Sequence, residues 1–239
     1  MATLERQKTA AIIVGAGLGT RMGKNKIFMD LLRRPTLAWS VDAFESCAHV
    51  DKIVLVLNEN DIKQGKELVM KEGWKKVMRI CPGGELRQDS VRNGLNCLIG
   101  DYDTIMIHDA ARPCITQGIL ERGLAAVRKT GAAVAAVSIN DTVKRTRLED
   151  GNDVVKETID RNSLKIIQTP QVFDFALIAK AHERTNYDVT DDAAMVENIG
   201  GCVITFEGAR YNIKLTTQID IEEAERFLAW QQAAIRIRA

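Results

Sequence analysis

What this chain lacks removes several classes of protein. It has no charge excess: 33 Lys and Arg against 32 Asp and Glu give a formal net charge of +1. No global field draws it to nucleic acid or to a membrane surface, so any polyanion must be met by a local cluster of cations. It has no long apolar run, and no apolar signal-type segment follows the polar start at residues 1–8. That leaves no candidate spanning helix and sets a cytoplasmic expectation. The five cysteines (Cys47, Cys81, Cys97, Cys114, Cys202) are odd in number, scattered, and contain no C-x-x-C pair. Neither a disulfide framework nor a structural zinc site is expected from them, and a reducing compartment fits. Repeats, low-complexity tracts and long linkers are also missing. The 239 residues, 46% of them apolar, can bury a sizeable core and are expected to form one domain over residues 1–239.

What is present is an alternation of short β-branched runs with longer amphipathic stretches. Residues 10–14, 52–57, 77–81, 104–108 and 132–138 read as strands, most of them apolar enough to be buried on both faces of a sheet. Residues 35–46, 61–72, 87–98 and 116–129 carry apolar side chains at helical spacing, with Pro35 suited to a first turn and Asp61 and Thr116 to N-caps. Such alternation predicts an α/β fold built on a single doubly wound, mostly parallel sheet with right-handed crossovers. The rhythm breaks at about 140–160, where two polar β-like runs, 142–147 and 154–159, flank Asp150-Gly151. That pair marks a hairpin turn, and the polarity of its strands predicts a projecting arm. A lone two-stranded ribbon is marginal in water, so a second copy of the chain is expected to cover it. Helices at 174–185 and 190–198, a strand at 202–207 and a helix from about Gln218 follow.

The first strand runs into Gly15-Ala16-Gly17-Leu18-Gly19-Thr20-Arg21-Met22-Gly23, with Lys24 and Lys26 close behind. A dinucleotide fingerprint fails here, because its third glycine falls on Thr20 counted from Gly15 and on Met22 counted from Gly17. A P-loop fails too, since Asn25 stands where the metal-binding hydroxyl belongs. What remains is a glycine turn at a strand's carboxyl end, where α/β sheets bind ligands. Arg21 and Lys26 supply the cations that a triphosphate requires. After the third strand, Gly83-Gly84 is expected to admit a planar base, and Ser90 offers it a hydroxyl. His108-Asp109-Ala110-Ala111-Arg112-Pro113 closes the fourth strand. There Asp109 is placed to hold a Mg²⁺ ion shared with phosphate oxygens, Arg112 to meet a second anion, and His108 to pack or orient.

Taken together, G-x-G-x-R-M-G…K, G-G-x-x-R-x-x-S-V-x-x-G-L, H-D-A-A-R-P, D-T-V-K, D-R-N, T-P-Q and N-I-K-L-T, in that order over most of the chain, resemble the 2-C-methyl-D-erythritol 4-phosphate cytidylyltransferases. The resemblance implies a Rossmann-like nucleotidyltransferase fold. It also implies Mg²⁺-dependent transfer of a cytidylyl group from CTP to a polyol phosphate, and a homodimer joined through the arm. It assigns Gly15, Ala16, Gly17, Gly84, Glu85 and Ser90 to the nucleotide, and Arg21, Lys26, Lys214 and Asp109 to catalysis, with Asp109 on the metal. It assigns Arg112, Thr142, Arg161, Thr169 and Thr190 to the acceptor. Three stretches depart from the usual pattern: Val14-Gly15-Ala16-Gly17 stands for Pro-Ala-Ala-Gly, Asn25-Lys26-Ile27-Phe28 for Pro-Lys-Gln-aromatic, and Tyr211 for the Asp before Asn-Ile-Lys. A pentitol-phosphate cytidylyltransferase, such as one for ribitol phosphate, is the nearest alternative. A non-catalytic nucleotide-binding protein is the alternative from another class.

Overall fold

A computed structural model describes residues 7–17 and 26–238. In chain order these form β1 (Thr9–Gly15), a short ribbon of β2 (Asp30–Leu31) and β3 (Arg34–Pro35), α1 (Thr36–Glu45), β4 (Lys52–Leu57), α2 (Ile62–Glu72), β5 (Val77–Pro82), α3 (Arg87–Asn96), β6 (Thr104–Asp109), α4 (Gln117–Thr130) and β7 (Ala132–Ser138). Then come β8 (Val143–Glu149), β9 (Asn152–Ile159), β10 (Lys165–Asp174), α5 (Phe175–Arg184), α6 (Asp192–Asn198), β11 (Ile204–Glu207) and α7 (Gln218–Arg238). All five strands expected before the arm form, each within a residue of its expected ends. The caps differ in detail. Pro35 precedes α1 as its N-cap instead of lying inside the first turn, and neither Asp61 nor Thr116 makes a side-chain cap bond. The helix expected from Thr190 starts at Asp192, capped by Asp191, whose carboxylate accepts from Ala194 N at 3.0 Å.

The main sheet has the order β11-β7-β10-β6-β1-β4-β5. It is parallel throughout except at β10, which runs antiparallel to both β6 and β7. Sequence reading misses β10 because Gln168, Thr169, Pro170 and Gln171 interrupt its apolar run, and proline inside a run argues against a central strand. The strand accommodates the proline by a register shift: residues 168–170 bulge out of the ladder with β7 between the pairs at Ile167 and Gln171.

Helices cover both faces of the sheet. Alternation along β1 sends Ala11 and Ile13 into the layer under Leu37, Val41, Phe44 and Ile119. Ala10, Ile12 and Val14 go into the layer under Val91, Leu95, Ile178 and Met195. Ile12 and Ile13 are both fully buried, each contributing about 1.5–3 kcal/mol of transfer free energy. The result is a rigid β1–β6 pair whose carboxyl ends stay in register, Val14 beside Asp109.

The arm is a separate two-stranded sheet of β8 and β9. Its turn is at Asp150-Gly151, with φ of 49° and 78°, the left-handed pair that a tight hairpin requires. It leaves the sheet at Ser138 and returns at Lys165, two residues paired with each other. No helix among the described residues is long and apolar enough to cross a membrane.

Candidate active site

The carboxyl ends of β1, β5 and β6 open into a cleft of about 340 Å³. One wall is the turn Gly15-Ala16-Gly17 with Lys26 and Ile27; the other is Gly84, Glu85, Leu86, Arg87 and Ser90. Asp109 and Ala111 form the floor, and Lys214 and Leu215 close the side. The two glycines also have a packing reason to lack side chains. A Cβ at Gly83 would lie 2.2 Å from the Ala16 Cβ and 2.7 Å from Ser90 Oγ; one at Gly84 would lie 2.3 Å from the Asp89 Cβ. The space they spare is already filled by protein, which brings the two walls of the cleft together. Ser90 Oγ accepts from Gly84 N at 3.1 Å and donates to Leu86 O at 3.3 Å, shaping that wall from behind.

Asp109 is fixed from its backbone outwards. Its N–H donates to Thr169 Oγ1 at 3.1 Å, and the Thr169 hydroxyl lies 3.0 Å from His108 Nδ1. His108 Nε2 lies 3.1 Å from Arg112 O. A carbonyl can only accept, so Nε2 carries the proton, Nδ1 accepts, and the Thr169 hydroxyl donates to it. Burial pushes the His108 pKa down to about 4, so the ring is neutral at pH 7 and has both nitrogens committed. It orients the site and has no proton to trade.

The Asp109 carboxylate accepts from Arg87 Nε at 3.1 Å on Oδ1 and from Lys214 Nζ at 2.8 Å on Oδ2, with Arg112 Nε 3.9 Å from Oδ2. Burial alone would raise its pKa, but Arg87, Lys214 and Arg112 together hold it below the ordinary carboxylate range. Arg87 in turn donates to Asp192 Oδ2 at 2.7 Å, and Asp192 is fully buried. Burial would lower the Arg87 pKa; the two carboxylates raise it further than burial lowers it. For Arg112 the balance goes the other way, burial leading to a lowered value.

Lys214 reaches the site on a strap tied down at several points. Leu215 N donates to Ala111 O at 2.9 Å, Asn212 Nδ2 to Thr169 O at 2.8 Å, and Gln168 Nε2 to Ala209 O at 2.8 Å. The bulge in β10 therefore turns Gln168 to the strap and Thr169 to Asp109. At the family's usual Asp position Tyr211 stacks on Phe227 of α7, centroids 4.1 Å apart. Ile27, another departure, is buried against the turn.

The structure thus brings together Gly15, Ala16, Gly17, Lys26, Gly84, Glu85, Ser90, Asp109 and Lys214. Arg21 lies outside the described residues. Thr169 stands behind Asp109 with its hydroxyl fully engaged. Arg112 lies beneath the strap, where Nη1 donates to Asn212 O at 2.8 Å and Nε has no hydrogen-bond partner among the described residues. Thr142 and Arg161 are exposed at the root of the arm, with Arg161 donating to Asn140 O; Thr190 is exposed just before the α6 cap. These three do not line the cleft. The sequence alone gives no role to Arg87, Asp192, Gln168 and Asn212, although Arg87 and Asn212 stand in the G-G-x-x-R and N-I-K-L-T motifs.

A doubly wound sheet whose carboxyl edge carries a glycine turn, two lysines and one ionised carboxylate fits the phosphate-handling site of a nucleotidyltransferase, and the dinucleotide and P-loop signatures are both broken. Residues 9–230 match the 2-C-methyl-D-erythritol 4-phosphate cytidylyltransferase family. A protein of that name from Dehalococcoides mccartyi is 44% identical over 223 residues, covering 93% of this chain and 96% of its own. One from Clostridium tetani is 38% identical over 226 residues, covering 92% and 90%. The crystal structure of 4-diphosphocytidyl-2C-methyl-D-erythritol synthase from Anaerococcus prevotii aligns with a TM-score of 0.82 and 30% identity, covering 94% of this chain and 100% of that one. The chain belongs to the 2-C-methyl-D-erythritol 4-phosphate cytidylyltransferase family.

Proposed function

We propose that this cleft joins CTP to 2-C-methyl-D-erythritol 4-phosphate, forming the CDP-alcohol and releasing pyrophosphate in isoprenoid precursor synthesis. The observation that carries the reading is Asp109, an ionised carboxylate held between Arg87 and Lys214 on the floor of the cleft. An acceptor phosphate, with its second pKa near about 6, is already an anion at pH 7. One of its oxygens attacks the α-phosphorus, and the bond to the bridging oxygen breaks with its electrons leaving on pyrophosphate. No proton has to be taken from the attacker, so no general base is needed. Catalysis rests on alignment and on cations placed where charge builds up, which is the work of Lys26, Lys214 and Arg21.

Mg²⁺ fits the residues present. It takes one or two protein carboxylates and completes its shell with phosphate oxygens and water. Asp109 is one such carboxylate, with no cluster of three or more His, Cys, Asp or Glu among the described residues. Asp109 would hold the ion, which would neutralise charge on the triphosphate.

The resemblance gives the acceptor to Arg112, Thr169 and Thr190, with Thr142 and Arg161 reaching it from the arm of a second copy. None of the five lines the cleft of the single chain, and Thr169, its hydroxyl engaged by Asp109 and His108, would act through Asp109. A homodimer is supported by the arm's apolar exposure, Leu148 at 71% and Val155 at 55%, on a ribbon too small to stand alone. The cytoplasm is supported by the free cysteines. The test is pyrophosphate release with CTP against the other nucleoside triphosphates, and with methylerythritol phosphate against ribitol phosphate. Equal or better turnover with ribitol phosphate would sink the acceptor assignment.

A further inference from the structure

Asp109 has two counter-ions of unequal freedom. Lys214 reaches Oδ2 at 2.8 Å with a side chain that is 44% exposed, on a flexible four-carbon stem. Arg87 reaches Oδ1 at 3.1 Å while the other branch of its guanidinium is held by Asp192 at 2.7 Å. Asp192 is wholly buried, and its second oxygen lies 3.4 Å from Nε2 of buried His182. Taking Lys214 away leaves Asp109 still paired with Arg87. Taking Arg87 away strands a carboxylate that has no access to water. A ligand arriving at Asp109 therefore displaces Lys214 and not Arg87.

We propose that Arg87 is a positioning residue of the transfer reaction, a fixed clamp that holds Asp109 Oδ1 against Asp192. Oδ2 is then the only oxygen that passes from Lys214 to the metal–nucleotide, and Lys214 is released onto the phosphates. The inference rests on the reading of Asp109 as the metal ligand. Arg87 also opens α3 directly after Gly84, Glu85 and Leu86. One residue thus ties the base-side wall to the reacting end. Lysine cannot replace it, because one ammonium lacks the planar fork that spans two carboxylates.

The test is a double-mutant cycle of Arg87→Met and Asp109→Asn. It is read by kcat and by electron paramagnetic resonance of Mn²⁺ binding to the enzyme–CTP complex. Arg87→Met is expected to weaken Mn²⁺ binding and lower kcat on the order of 10- to 100-fold, the usual cost of losing the group that orients a ligand. The KM for CTP should change by less than about threefold. Placed on Asp109→Asn, the same substitution should cost nothing more, because the two residues act as a unit. Arg87→Lys should recover only part of the loss. Asp192→Asn, which keeps the size of the anchor and one acceptor oxygen, should move both readouts the same way and serves if Arg87→Met does not fold. Effects that multiply across the cycle, or a folded Arg87→Met with wild-type Mn²⁺ affinity, overturn the proposal. Failure of the functional reading looks different: no pyrophosphate is released by the wild-type chain, while Mn²⁺ binding with CTP still depends on Arg87, which supports the clamp.

Discussion

Acidification between about pH 6.5 and 4 is expected to destabilise the fold through His108. The ring is fully buried, and both its hydrogen bonds require the neutral form. Burial leads the shift of its pKa from 6.5 to about 4. An unfolded chain takes up this proton near the ordinary value, whereas the folded chain refuses it until about 4. Within that window the unfolded state binds more protons, so stability is complete above the ordinary value and is lost as the pH falls. At about 1.4 kcal/mol per pH unit for one proton, the loss reaches roughly 3 kcal/mol. That is a large share of the roughly 5–15 kcal/mol that keeps a domain folded. Asp109 and Asp192 have pKa values lowered from 3.8, so their contributions go only at still lower pH. The assay is urea denaturation across this range, wild type against His108→Gln. Glutamine keeps a donor and an acceptor but has no proton to gain, so the slope of stability against pH should flatten by about one proton. Equal slopes, or a His108 resonance titrating near the ordinary histidine value, would refute the reasoning.

Other consequences can be checked directly. Arg21→Ala and Lys26→Ala should each lower turnover by about 10²-fold or more, from lost contacts to developing charge, with the thermal midpoint unchanged; normal turnover in both would remove them from the reaction. Gly83→Ala puts a methyl 2.2 Å from the Ala16 Cβ. It should cost about 1–3 kcal/mol of stability as an overpacked contact and raise the KM for CTP, both measurable on one preparation. Val155→Asp on the arm should shift the sedimentation of the protein from dimer to monomer while leaving its circular dichroism intact. Unaltered sedimentation of a dimer would move the interface elsewhere.

Much of the fold was legible because buried parallel strands are written as unbroken apolar runs, and Ile12-Ile13-Val14 or Ile53-Val54-Leu55 can hardly be anything else. β10 was not, because its middle is polar for the sake of the site. Gln168, Thr169 and Gln171 are spent on the strap, on Asp109 and on the α6 cap. The walls of the site were legible from glycine spacing, and Asp109 from its place at a strand end. Arg87–Asp192 was not, since the pair is separated by more than a hundred residues and meets only once α3, α5 and α6 have packed on this face of the sheet. Gly83 illustrates the same limit: sequence shows that a side chain is missing, but only the fold shows that Ala16 and Ser90 fill the gap.

The arm leaves β7 at Ser138 and re-enters β10 at Lys165, and those two residues are already partners in the sheet. Remove everything between them and β7 and β10 close as an ordinary hairpin. The insertion is therefore spliced across a junction that needs no help from it. The body can therefore complete its core without the arm, and if the arm pairs with a second copy, that pairing need not be part of folding the sheet.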